Sequence, residues 1–251
     1  MDPVVDLLLG ASCVGCARPG RLLCAACRAA LPREASPVGP DPRPAGLVPT
    51  FAATAYEGVV RDLVVGLKEH RLLGLRAPLG GLLADAVRAA VASSGVAGPL
   101  VLVPVPSRPG STRARGHEPV HAVARRAAAL LRAGGADVAV ARLLRSRPGV
   151  VDQAGLGAAA RSANLAGSMC CPTPGLRHLA RRRPRARLVV CDDVLTTGAT
   201  AREAQRALES VGLSVAAVAA VAATRRRLPT GPVTASGELS GGSLPCFGRT
   251  D

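Results

Sequence analysis

A chain of 251 residues with 48% hydrophobic content has room for one mid-sized α/β domain and a small appendage. Its formal net charge of +15 points to an anionic partner: a phosphorylated metabolite, a nucleic acid or a membrane surface. One Tyr, two Phe and no Trp disfavour the aromatic platforms on which single-stranded bases stack, and leave the core to Ala, Val and Leu. Lys68 is the only lysine among 32 basic residues. The sequence lacks the run of about 18 apolar residues that a membrane helix needs. The first residues, Met1 to Asp6, carry two acidic groups where a signal peptide would be basic, so the chain reads as cytoplasmic, with no membrane partner and reduced cysteines.

In chain order, residues 1–33 come first and hold four of the eight cysteines. Cys13, Cys16, Cys24 and Cys27 form two C-x2-C knuckles, close enough in sequence to complete one tetrahedral Zn2+ site. Two disulfides are the alternative. Zinc here is structural, because so short a segment cannot fold on core burial alone. Cys170, Cys171, Cys191 and Cys246 show no ligand spacing, and Cys191 reads as a small core residue.

Residues 34–49 are too rich in proline for a helix or a central strand and read as a linker. Val59, Leu63, Val64 and Leu67 predict a helix over 57–70, and Leu79, Leu82, Leu83, Val87 and Val91 another over 76–93. The apolar run 100–103, ending at Pro104-Val105-Pro106, predicts a buried strand feeding a loop. A helix over 117–133 and a strand over 137–144 follow. Residues 145–155 read as a mobile loop, 187–191 as a buried strand, 192–198 as a loop, 199–211 as a helix and 213–223 as a last strand. Residues 227–251 read as a disordered tail. Strands alternating with helices predict a mostly parallel sheet flanked by helices.

The segment Leu188–Thr200 is the most informative. An apolar strand runs into Asp192 and Asp193, then into a small-residue turn that opens a helix. Free N–H groups and positive partial charge at a helix start accept a phosphate. Gly198 lets the backbone approach it, and Thr196, Thr197 and Thr200 add hydroxyl donors. The two carboxylates do not suit a phosphate. They suit vicinal hydroxyls or a magnesium ion at the carboxyl end of the strand. Two acids followed by a phosphate cradle describe a ribose 5-phosphate site.

This segment resembles the 5-phosphoribosyl-1-pyrophosphate (PRPP) motif of type I phosphoribosyltransferases, and over residues 10–226 the chain resembles the ComF family. The resemblance implies a type I phosphoribosyltransferase-like α/β domain over 50–226, with a four-cysteine, zinc-ribbon-like appendage before it. It implies that Asp192 and Asp193 are the catalytic acids that hold the ribose hydroxyls, and that Thr196, Thr197, Gly198, Ala199 and Thr200 hold the 5-phosphate. Tyr56-Glu57-Gly58 with Leu67-Lys68 is similar to the family's entry helix. Pro104-Val105-Pro106 leading to Arg113-Ala114-Arg115-Gly116 is similar to its pyrophosphate loop. Gln153, Leu156, Arg161 and Asn164 match its Q-x2-L-x4-R-x2-N pattern. Lys68, Arg113, Arg115 and Arg161 would then bind pyrophosphate, which suits cationic and especially bidentate arginine contacts. The implied activity is Mg2+-dependent transfer of a phosphoribosyl group from PRPP to a nitrogen acceptor.

Two other functions stay open at this point. The family's association with natural transformation implies a DNA-binding accessory factor in DNA uptake, with single-stranded DNA and DNA-uptake proteins as partners and Arg181, Arg182, Arg183 and Arg185 as the contact patch. A sensor that binds PRPP or a nucleotide without turnover is the other. It gains from one departure: the family usually has R-G-F-N-Q where this chain has Arg115-Gly116-His117-Glu118-Pro119, which sets a negative charge beside the pyrophosphate. His117-Glu118-Pro119-Val120-His121 also matches the H-E-x-x-H pattern of zinc proteases. Pro119 marks it instead as a helix start, and no third ligand follows at a recognised spacing.

Overall fold

The structure, a computed structural model, describes residues 11–95, 98–107, 118–147 and 167–224. Its centre is a six-stranded sheet. Strand β7 (Arg187–Leu195) lies between β3 (Leu100–Pro104) and β8 (Val215–Ala223), parallel to both. Strand β4 (Val138–Val140) extends the sheet beyond β3, and β2 (Thr50–Ala52) extends it beyond β8, again in parallel. Strand β1 (Ser36–Pro37) closes the β2 side in the antiparallel sense. The middle strands are almost wholly apolar because helices cover both faces.

Side chains along β3 alternate between those faces. Leu100 and Leu102 enter one core, while Val101 and Val103 enter the other. The first core is closed by α2 (Gly58–Lys68), α3 (Arg76–Ser94) and α4 (Pro119–Ala133), through residues such as Leu63, Leu83 and Val123. In α2 the buried residues Val60, Leu63, Val64 and Leu67 fall at helical spacing, so a single stripe faces the sheet. The second core is closed by α5 (Thr173–Arg182) through Leu179 and by α6 (Ala199–Glu209) through Ala204 and Leu208. The short helix α1 (Ala25–Ala29) belongs to the cysteine-bearing segment. That segment is docked on the first core, because Cys13, Leu23 and Leu31 are buried within it.

Several elements depart from expectation. Strand β7 does not stop at Cys191, and residues 192–195 are strand rather than loop. Asp192 and Val194 pair with Ala220 and Ala222, and Leu195 with Ala223, so small partners on β8 extend the ladder beneath the carboxylates. Strand β4 is shorter than 137–144, since the chain leaves the sheet edge to pair Arg145–Ser146 (β5) with Met169–Cys170 (β6). Residues 34–49, read as a linker, supply β1, and Val38 packs with Leu47 on the second core. Pro37 is tolerated because β1 is an edge strand. Strand β2 and helix α5 were not anticipated. Helix α5 starts behind Pro172 and carries Pro174 in its first turn, where a missing N–H costs nothing. Most of loop 145–155 and the tail 227–251 lie outside the described residues.

Candidate functional site

The carboxyl end of β7 carries Asp192 and Asp193, both buried, at 7% and 8% exposure. Each carboxylate is oriented by the backbone that follows it. Asp192 Oδ1 accepts the Asp193 N–H at 2.8 Å, and Asp193 Oδ1 accepts the Val194 N–H at 2.8 Å. Burial pushes the Asp192 carboxyl well above the ordinary carboxylate pKa, and the neighbouring Asp193 charge adds to the rise.

The only lysine of the chain meets this pair. Lys68, the last residue of α2, places Nζ 2.6 Å from Asp193 Oδ2. At that distance the contact is a charge-assisted one between an ammonium and a buried carboxylate oxygen. Burial works against the lysine's charge, but Asp193, then Asp192 and Tyr56, outweigh it and hold the Lys68 pKa above its ordinary value. Sequence reasoning assigned Lys68 to pyrophosphate, whereas here it neutralises one of the two acids. The signal that singled it out was its retention in a chain otherwise built with arginine.

Beyond Leu195 the chain turns through Thr196 and Thr197 into Gly198, which caps α6 with φ +70°. That left-handed conformation suits glycine, and space requires it too. A Cβ at Gly198 would sit 2.8 Å from Pro40 Cγ and 3.0 Å from Leu47 Cδ2. Thr197 Oγ1 accepts the Ala199 N–H at 3.4 Å, while Thr196 stays exposed and Thr200 half-buried. The five residues expected to hold a 5-phosphate therefore do form one strand-to-helix turn. Its roof comes from segment 34–49, pinned by Gln205 of α6. The Gln205 amide donates to Gly46 O at 2.9 Å, and its oxygen accepts the Val48 N–H at 3.0 Å. Beside the turn lies a cavity of about 490 Å3, lined by Glu34, Ser36, Pro40, Thr54, Thr196 and Thr224 among others.

Arg113, Arg115 and Arg161, together with Gln153, Leu156 and Asn164, lie outside the described residues. Glu118 immediately precedes α4, and its carboxylate is taken up by Arg142 at 2.6 Å. Pro119 occupies the first turn of α4, as a helix start requires. Arg181 and Arg182 are exposed in the last turn of α5, and Arg185 is exposed beyond it, but Arg183 is bonded to Asp137 at 2.5 Å. One buried polar feature escaped sequence reasoning. Glu203 of α6 accepts the Met169 N–H at 2.8 Å and pairs with Arg206, tying β6 to α6. Its placement on an otherwise apolar face, among Ala199, Ala207 and Leu208, was the available signal.

The four amino-terminal cysteines form the one group of three or more potential metal ligands found among the described residues. Their Sγ atoms all lie within 4.8 Å of one another, and Cys16 Sγ is 3.7 Å from Cys24 Sγ. Four sulfurs each about 2.3 Å from one tetrahedral ion would stand roughly 3.8 Å apart. The backbone N–H of Cys24 points at Cys13 Sγ, and that of Cys27 at Cys24 Sγ, both at 3.4 Å, as suits thiolates held in a knuckle. All four are free thiols. Burial would raise the Cys13 pKa, but the N–H groups of Cys24, Gly15 and Cys16 together lower it to about 6. Cys27 moves the other way: hydrogen bonding with the Cys24 and Cys16 side chains pushes its thiol up to about 12. The donor set fits a structural metal such as zinc.

No helix among the described residues is long and apolar enough to cross a membrane. No protein-family model matches this chain, and a search of curated proteins finds no match.

Proposed function

We propose that this chain is a ComF-type phosphoribosyltransferase that binds PRPP, or another ribose 5-phosphate ligand, at the end of β7 and transfers the phosphoribosyl group to a nitrogen acceptor. One observation carries the reading. Two buried carboxylates, Asp192 and Asp193, the second met by Lys68, stand in the same strand-turn-helix as a left-handed glycine and a row of threonines. Vicinal hydroxyls are donors that suit a pair of carboxylates, and a helix start is where their phosphate would sit.

In the proposed reaction the bond from C1 of the ribose to pyrophosphate breaks, and a bond from C1 to the acceptor nitrogen forms. Pyrophosphate leaves with the bonding electron pair, and the nitrogen's proton passes to it or to water. Positive charge develops on the ribose as the bond breaks, and the Asp192–Asp193 pair lies where it would offset that charge. Lys68 is the cation nearest the acids, and its three donors can pass from Asp193 to a departing phosphate oxygen. Magnesium, when bound with PRPP, would supply charge neutralisation to the pyrophosphate. The cavity of about 490 Å3 beside Thr196 is where the acceptor would sit; its Glu34 carboxylate and its hydroxyls suit an N–H donor.

Calorimetric titration with PRPP and magnesium tests the site. Ribose 5-phosphate should compete and plain ribose should not. Asp193→Asn should keep the fold and weaken binding by about tenfold to hundredfold, since hydrogen bonds to a charged acceptor are worth about 1.5–3 kcal/mol. If the wild-type protein binds neither PRPP, ribose 5-phosphate nor a nucleoside monophosphate at millimolar concentration, the reading fails. Release of pyrophosphate on adding candidate amines separates an enzyme from a sensor. The exposed Arg181, Arg182 and Arg185 keep DNA binding as a second reading, with affinity that should fall steeply as salt rises.

A further inference from the structure

Away from β7, a groove of about 780 Å3 runs along α4. Its lining includes His121, Arg125, Arg126 and Arg132 from α4, Arg76 from the start of α3, and Val140 from the edge strand β4. No acidic side chain lines it, and among the described residues none of its four arginines pairs with a carboxylate. Elsewhere Arg33, Arg88, Arg142, Arg183, Arg202 and Arg206 each hold one.

The fold holds two of the groove arginines in place without neutralising them. The stem of Arg126 lies across Gly80 of α3, where an added Cβ would meet Arg126 Cγ at 2.5 Å. The absent side chain at Gly80 is what lets that arginine lie down. Arg132 donates to Val138 O at 3.1 Å, which anchors one nitrogen and leaves the other donors of the fork free. Arg125 and Arg132 are two turns apart on α4, about 11 Å along the axis, with Ala129 between them on the floor. His121 feels the same field: burial first, then Arg142 and Arg125, keep its imidazole below the ordinary pKa, against the opposing pull of Glu118.

We infer that this groove is a second anion site, for a compact chain of phosphoryl groups: an inorganic oligophosphate or the phosphate tail of a nucleoside polyphosphate. Planar guanidinium forks match phosphate oxygens bidentately, and four of them line this one groove, over a span that about three linked phosphates fill. The volume lies within the range of small-molecule sites. No aromatic side chain lines the groove, so it offers nothing for the bases of a single strand to stack on. The inference is independent of the Asp192–Asp193 site and does not rest on its reading.

The test is titration of the full chain with inorganic triphosphate, ATP, adenosine and a short single-stranded oligonucleotide. Triphosphate and ATP should bind and adenosine should not. Equal affinity for the two would assign the site to phosphate alone, and about tenfold preference for ATP would add a role for the base. Replacing Arg125, Arg126 and Arg132 together by serine should weaken triphosphate by at least about tenfold. Serine at Arg181 and Arg182 should change it less than about twofold. Ribose 5-phosphate binding should survive in the groove variant, so failure here is distinguishable from failure of the β7 site. Arg126 has a packed stem, so the exposed Arg125→Gln is the second variant; it should melt like wild type and weaken triphosphate about threefold or more. Unchanged triphosphate affinity in the folded variants overturns the inference. So does a wild-type protein that binds the oligonucleotide but not triphosphate.

Discussion

The cysteine cluster and the β7 acid pair both crowd ionisable ligand atoms together, and they differ in what is there to balance them. The cysteines lie within one short stretch of chain, with backbone N–H groups pointing at Cys13 and Cys24 Sγ, and no ion pair to them is seen among the described residues. Their donor set fits compensation from outside, by a metal such as zinc. The acids are balanced from within by Lys68, which arrives from a distant helix and meets one of them at 2.6 Å. A local cluster can depend on an ion because its own sequence holds all the ligands. The acids instead draw their counter-charge from a residue far away in the sequence.

Breaking the first arrangement should have the largest effect. Freshly purified protein should contain about one zinc per chain. Cys24→Ser, or a strong chelator, should unfold residues 11–33 while the sheet persists, because metal binding in such knuckles is worth about 10–16 kcal/mol. Hydrogen exchange would read this as lost protection confined to that segment. Metal-free protein whose thiols titrate as disulfides would contradict it.

Breaking the second should cost less. Lys68→Met leaves Asp193 buried and uncompensated, and should lower stability by about 1–3 kcal/mol in a urea melt. That is less than for a fully enclosed pair, since the Lys68 side chain is 33% exposed. The double variant with Asp193→Asn should recover most of the loss, and a double-mutant cycle measures the coupling. An unchanged midpoint for Lys68→Met would show that the pair stabilises nothing.

The smallest effect sharpens the comparison. The folded Asp192 pKa is raised, so its contribution to stability is present below the unfolded value and is lost as pH rises through the folded one. At neutral pH, above the unfolded value, this carboxyl is therefore a liability. Asp192→Asn should raise the melting temperature at pH 7 by a few degrees, about 2–4 °C for each kcal/mol in a domain of this size. The gain should vanish in acid, at pH values below the unfolded pKa. A variant that melts below wild type at pH 7 would show that Asp192 contributes to the fold as well as to the site.

Much of this arrangement is legible in the amino-acid sequence, because its signals are local. Leu63, Val64 and Leu67 reveal α2 through their spacing, and the apolar run 100–103 reveals β3. The candidate zinc ligands follow from two C-x2-C pairs, and the turn at Gly198 follows from its small residues. What escapes depends on distant partners. Asp192 and Asp193 look like loop residues until the alanines of β8 are set beside them. The pairing of Lys68 with Asp193 is invisible until α2 is docked on the sheet. The arginines of α4 do not stand out in a basic chain, and only the packing of Arg126 over Gly80 gathers them into a groove.

Gln205 and its two hydrogen bonds to segment 46–48 set a limit on modularity. The amino-terminal region resembles a separate unit with a tether, of the kind that recombination could shuffle or an experimenter could trim. Yet the tether is itself part of the wall: Pro40 and Leu47 touch the glycine that caps α6, and Ser36–Pro37 cover an edge of the sheet. A chain cut before Thr50 would keep Asp192, Asp193 and every threonine of the turn, and would still lose the surface that holds that turn in shape. Segment 34–49 and the turn at Gly198 thus hold their shape together.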